Sequence, residues 1–347
     1  MQPHRAHSQP HTPTPARKPG GGGFYRLAGK GLLALLIAAG GGFAVYRAAM
    51  LLTGAAGTEQ EPRRVIEAPI RDAEWLELVE DLEKASRAYS GRVGIYIKDL
   101  ETGKSWEYNA DRRFPSASLI KVPIMAAVFE SIRGGRLSLD TQIKLTRGLR
   151  VGGSGSLKWV REGTSLSVME IIYKMITESD NTATKMLIDA VGMDYLSGAF
   201  RAMNLEQTNI TPEGMSLSSR PVRRENYTTA REMGGLMERI YAGKLVDREA
   251  SEFMLDVLKH TKSRSRLRRG LPLGWEIGHK TGLLRKACHD VGVVFSPRGD
   301  FVIAVLTSEV PSYSSAKTFI SRVAKLTYKY YKIDADFAGH ARSGSAG

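Results

Sequence analysis

Strand-like segments stand only at the two ends of the folding part of this 347-residue chain, with a long helical stretch between them. That order leaves few ways to build a core. Residues 92–98 and 105–109 read as strands hinged on DLETGK, where Gly103 supplies a positive φ. Residues 290–295 and 301–307 form a second pair around the turn sequence SPRGD. Between them, over about 118–258, VPIMAAVFESI, SVMEIIYKMI, NTATKMLIDAV, YLSGAFRAM and AREMGGLMERIYAG each carry the i, i+3, i+4 apolar spacing of a helix. Amphipathic helices at 72–89 and 314–331 bracket the whole. The expectation is an α+β fold: an antiparallel sheet formed by N- and C-terminal strands, flanked by helices, with an all-helical middle region.

The N-terminal part follows other rules. Residues 1–30, rich in Pro, His and Gly, bury too little apolar area to fold and read as a disordered basic tail, cytoplasmic in the topology below. Residues 31–53 carry one charge, Arg47, and are about long enough to span a bilayer. Thirty residues before the apolar run exceed the usual leader of a cleaved signal peptide, which favours an uncleaved signal anchor. Five Lys/Arg precede the run, so the positive-inside rule places the N-terminus in the cytoplasm and the folded part outside. Residues 54–69 then form a linker, 70–335 the folded domain and 336–347 a second disordered tail.

Net charge is +14, and residues 1–64 hold eight Lys/Arg against two Glu, so the folded part is only moderately basic. Its densest run, KSRSRLRRG from Lys262, lacks interleaved aromatics and any nucleic-acid module. It reads as a solvated surface, and nucleic acid is not an expected partner. A single cysteine, Cys288, excludes an intrachain disulfide and reads as a core filler beside an apolar strand.

Within RFPSASLIKVPIM, Ser118 falls at a helix start, where free N–H groups favour developing negative charge. Lys121 follows one turn later on the same face, within reach of the hydroxyl, and in a dry site desolvation would make it a base. Ser116 fails this test, because an i to i+5 spacing points elsewhere. Taken alone, Ser-x-x-Lys is as good a cap and a solvated lysine. Sixty-one residues later, Ser179, Asp180 and Asn181 sit between two helices and would alone read as an N-cap. A further 101 residues on come Lys280, Thr281 and Gly282.

In this order and spacing, SxxK, SDN and KTG form the signature of the serine penicillin-recognising enzymes. The stretch GSGSLKWVREGTSLSVMEIIYKMITESDNTATKMLIDAVG resembles the class A β-lactamase core throughout, and the resemblance covers about 70–332. It implies that Ser118 is the nucleophile and Lys121 its proton acceptor. Ser179 would pass the proton to the leaving nitrogen, helped by Lys280. Asn181 would hold the substrate's side-chain amide, Thr281 with Ser179 its carboxylate, and the N–H groups of Ser118 and Leu283 the oxyanion, with Gly282 also among the substrate-binding residues.

Two departures stand out. The deacylating glutamate of class A enzymes lies in an Arg-x-Glu-x-x-Leu-Asn-like stretch. Here Glu213 occupies about its place, but Thr211 and Leu217 stand where the arginine and asparagine are expected. An exposed loop acid is the equal alternative. The arginine usual on the strand after KTG is replaced at about His289, leaving Arg285 as a substitute. The implied activity is a membrane-anchored, monomeric serine hydrolase acting on a β-lactam or a peptidoglycan-derived small substrate, with no metal or organic cofactor. A D-Ala-D-Ala-type peptidase or penicillin-binding protein with slow deacylation, and a catalytically silent wall-binding module, are the competing classes.

Overall fold

The structure, a computed structural model, describes residues 68–216 and 222–332. The tails, most of the linker and the apolar run at 31–53 lie outside the described residues. Among the described residues no helix is long and apolar enough to cross a membrane.

The chain opens with α1 (Ala68–Arg87), followed by β1 (Arg92–Asp99) and β2 (Ser105–Tyr108). A 3₁₀ turn, Ala117–Ile120, runs straight into α2 (Lys121–Arg133). The helical middle continues with α3 (Val168–Thr177), α4 (Asn181–Val191), α5 (Met193–Ala202), α6 (Ala230–Tyr241) and α7 (Arg248–Lys259). The chain returns through β3 (Glu276–Leu284), β4 (Ala287–Phe295) and β5 (Phe301–Ser308) to α8 (Tyr313–Tyr331).

The five strands make one antiparallel sheet in the order β2-β1-β5-β4-β3. The two ends of the domain therefore meet at its centre, with Arg92 opposite Ser308 and Asp99 opposite Phe301. All eight residues of β5 are buried, as expected of a strand covered on both faces. Alternation sorts them: Phe301, Ile303 and Val305 pack with Trp75, Leu82 and Phe319 of the terminal helices. Val302, Ala304 and Leu306 pack into the helical middle.

Local signals fix the helix starts nearest the site. Ser167 and Glu170 form a reciprocal capping box on α3. Asp180 caps α4 by accepting from Ala183 N at 2.9 Å. Cys288 is buried, as read from the sequence. The basic run at 262–269 is not uniformly solvated: Arg266 is only 5% exposed and its Nε donates to Cys288 Sγ at 3.1 Å, while Leu267 is fully buried.

Candidate active site

Three stretches far apart in sequence converge beside β3. Ser118 lies half-buried in the 3₁₀ turn, where positions i and i+3 eclipse, so Ser118 and Lys121 share one side. The turn is strained. Ala117 sits at φ +47°, a left-handed conformation that costs a side-chain-bearing residue about 1–2 kcal/mol. Neighbours hold it there. Ser116 N donates to Asn226 O at 2.8 Å, and Phe114–Pro115 pairs with Tyr227–Thr228. From the other side β3 presses close because residue 282 is glycine: a Cβ there would lie 3.2 Å from Ala117 Cβ and 3.0 Å from His289 Cδ2. Thr281 and the half-exposed Leu283 are thereby brought alongside the turn that carries Ser118.

Lys121 is fully buried, and its Nζ donates to Ser179 O at 2.6 Å, Asn181 Oδ1 at 2.8 Å and Ser179 Oγ at 3.2 Å. Among the described residues no hydrogen bond joins it to Ser118. In the free protein the Lys121 amine is instead directed at three acceptors of the SDN turn. Burial, then the charge of Lys280, holds its pKa well below the ordinary lysine value, against an opposing pull from Asp180.

Asp180, by capping α4, fixes the residues on either side of it. Its second oxygen accepts from Leu157 N at 2.7 Å, tying the turn to the glycine-rich GGSGS loop. A side chain at Gly155 would overlap Asp180. Ser179 is held at φ +55°. Asn181 donates Nδ2 to Gly152 O at 2.9 Å. Lys280, also fully buried, donates to Ser179 Oγ at 3.0 Å and Thr281 O at 3.1 Å. Burial pushes its pKa down to about 7, with Asp290 opposing and Arg266 adding to the depression. A hydroxyl bracketed by two buried lysines, beside a half-exposed second serine, is suited to passing a proton to a leaving group.

The departures resolve differently. His289 is no ligand for a substrate carboxylate. It is fully buried, donates Nε2–H to Pro115 O at 2.7 Å and accepts from Thr307 N at 3.1 Å, and burial pushes its pKa down to about 4. Arg285 is paired with Glu225 in a largely buried ion pair. The arginine whose charge reaches Lys280, alongside that of Asp290, is Arg266, hidden in the basic run and set at φ +64°.

Glu213 is not poorly held. Its Oε1 accepts from Arg224 NH2 at 3.0 Å and Nε at 3.2 Å, while Oε2 is buried and bonded to no described protein group. Its own backbone N–H, then Arg224, keeps the carboxyl below the ordinary range. Thr211 does not replace the expected arginine by charge: its N–H donates to Asn226 Oδ1 at 2.7 Å, and its hydroxyl lies 3.2 Å from that oxygen. Leu217 lies outside the described residues. Among those described, no hydrogen bond links Glu213 to Ser118, Lys121 or Asn181. Sequence reasoning missed Asn226, which has no motif of its own, and Glu178, which lies beside Ser179 in a cleft of about 510 Å³.

Comparison with known proteins gives a consistent result. The model of a family described as the beta-lactamase enzyme family matches residues 77–331. Beta-lactamase VEB-1 of Pseudomonas aeruginosa is 28% identical over 265 residues, covering 72% of this chain and 89% of that protein. Among solved structures, the beta-lactamase from Sphaerobacter thermophilus has a TM-score of 0.68 at 29% identity, over 74% of this chain and 97% of its own. PBP-A has a TM-score of 0.67 at 28% identity, over 73% and 95%, and a mutant of it is known as an acyl-enzyme complex with penicillin-G.

Proposed function

The chain belongs to the beta-lactamase enzyme family and is a serine hydrolase of that type, and from that premise we propose that it is acylated on Ser118 by β-lactams or related amides and then hydrolyses the acyl group. Ser118 Oγ attacks the amide carbonyl carbon while its proton passes to neutral Lys121. The C–N bond breaks as Ser179 gives its proton to the departing nitrogen and is resupplied from the lysines that flank it. Backbone N–H groups of Ser118 and Leu283 receive the oxyanion. Thr281, Ser179 and Lys280 take the substrate carboxylate, and Asn181 the side-chain amide. Water activated by Glu213 then releases the acyl group. The observation that carries this reading is Ser179 Oγ held 3.2 Å from Lys121 Nζ and 3.0 Å from Lys280 Nζ.

A second reading, a peptidase or penicillin-binding protein with slow deacylation, is favoured by one observation. Glu213 is tied to Arg224 and makes no hydrogen bond to Ser118, Lys121 or Asn181 among the described residues. Intact-mass analysis of the purified protein after adding a penicillin separates the cases. A transient adduct supports hydrolysis, a stable one the second reading, and no adduct would leave a silent wall-binding module.

We propose further that the domain lies outside the cytoplasm, held by residues 31–53, on the strength of the apolar run and the cations before it. Sedimentation with membranes, and loss of the domain when protease is added to spheroplasts, are expected. A soluble form starting near residue 58 would show a cleaved signal instead.

A further inference from the structure

The cleft beside Ser179 continues past the residues so far given a role. Its far end is lined by Ser156, Thr177, Glu178, Thr261, Lys262 and Ser263, with Ser179, Lys280 and Thr281 at the near end. Two walls from distant parts of the chain meet there. Lys262 follows α7, and its backbone N–H donates to Thr177 O at 3.2 Å, which docks it against the end of α3. Its ammonium crosses to Glu178 Oε1 at 2.8 Å.

The two partners are unequally committed. Glu178 is largely buried, with 18% of its side chain exposed, and is also bonded by Ser156 Oγ at 2.6 Å, with Lys174 Nζ at 3.7 Å. Burial alone would raise its pKa. The bonds from Lys262 and Ser156, with Lys174 nearby, outweigh that and keep it ionised below the usual carboxylate range. Lys262, by contrast, is 65% exposed and has no acceptor besides Glu178 among the described residues. Glu178 keeps two other partners if Lys262 leaves, so the lysine is the part free to turn. Thr177 Oγ1, buried in the same wall, makes no hydrogen bond among the described residues.

We propose that Lys262 is a specificity-determining cation for the carboxylate of the substrate, held by Glu178 in the free protein and turned onto the substrate when an anion enters the cleft. The proposal rests on the serine-hydrolase reading above and deepens it. Ser179, Lys280 and Thr281 take the carboxylate, and Lys262, which lines the same cleft, turns onto it. Glu178 competes with the substrate for the same ammonium, so it sets how strongly the site prefers anionic over neutral acyl donors. A charge-assisted contact of this kind is partly exposed, so it acts on KM and weakens with salt.

The test compares a penicillin with its methyl ester on the intact protein, reading KM and the acylation rate for each. Lys262→Met is expected to cut the preference for the free acid about tenfold, through KM, while Lys262→Arg restores it. Glu178→Gln is expected to raise the preference about threefold, because the lysine is released. Melting temperatures of all three variants report any loss of the brace itself. A preference unchanged in Lys262→Met, or lowered alike by Lys262→Met and Glu178→Gln, overturns the inference while acylation of the wild type still stands. Absence of acylation by either compound removes the inference together with the reading beneath it.

Discussion

Lys121 and Lys280, both fully buried and drawn from opposite ends of the domain, converge on one atom, Ser179 Oγ, at 3.2 and 3.0 Å. Burial of both, and for Lys121 the nearby charge of Lys280, favours the neutral amine over the ammonium at each position.

Ser118→Ala should abolish covalent labelling by a penicillin probe and leave the fold intact. No described protein group bonds to Ser118 Oγ, so the loss should not exceed about 1 kcal/mol, or about 2–4 °C in Tm. Ser116→Ala should label normally, since its buried hydroxyl has no partner among the described residues. Labelling that survives the Ser118 substitution removes the nucleophile assignment.

Glu213→Gln should leave acylation nearly intact and lengthen the acyl-enzyme lifetime at least about tenfold, within the usual contribution of a general base. Stopped-flow acylation and time-resolved intact mass separate the two steps. Equal release rates in variant and wild type would make Glu213 a bystander.

Lys280 is depressed from 10.5 to about 7. The unfolded chain therefore binds a proton that the folded chain has released between those values, so this group makes stability rise with pH from about 7 to 10.5. Its charge is lost over the same rise. KM for an anionic penicillin should climb above pH 7 while KM for the methyl ester stays flat. Parallel profiles for the two substrates would sink the assignment.

His289 is depressed from 6.5 to about 4 while buried and neutral. As pH falls through 6.5 the unfolded chain takes up a proton that the folded chain refuses until about 4. Stability should drop by about 3 kcal/mol across that window and then level off. Urea unfolding at pH 7 and pH 4 reads the difference, and His289→Asn should remove most of its pH dependence.

Asn226→Ala should loosen the loop that carries Glu213. Its side chain accepts from Thr211 N, and its backbone accepts from Ser116 N. Leaving Thr211 N unpaired should cost about 1–3 kcal/mol and slow acyl release more than acylation, because Ser116 is held by the main chain. Equal loss in both steps would show that the whole turn had moved.

The architecture was legible because period-2 segments at both ends admit few solutions other than a shared sheet. The third strand, Glu276–Leu284, was not read as one, since EIGHKTGLL lacks the apolar alternation of its neighbours. It keeps its strand form through pairing with β4, and its lysine and histidine are buried by partners in other elements. The motifs were legible because their spacing is fixed by which turns must meet. Glu178 and Lys262 were not, because their pairing across 84 residues exists only once α3 and the segment after α7 are packed. Arg266 was hidden for a similar reason: in a run of cations, nothing local distinguishes the one that turns inward.

The pairing of β1 with β5 also governs when the protein can exist at all. Because Arg92 finds its partner only at Ser308, a growing chain has no central ladder until almost its whole length has been made. Local helices form early, but the site cannot assemble from them, since Lys280 arrives with the late strands. Assembly of the domain is thus a late event dominated by contacts between residues distant in sequence.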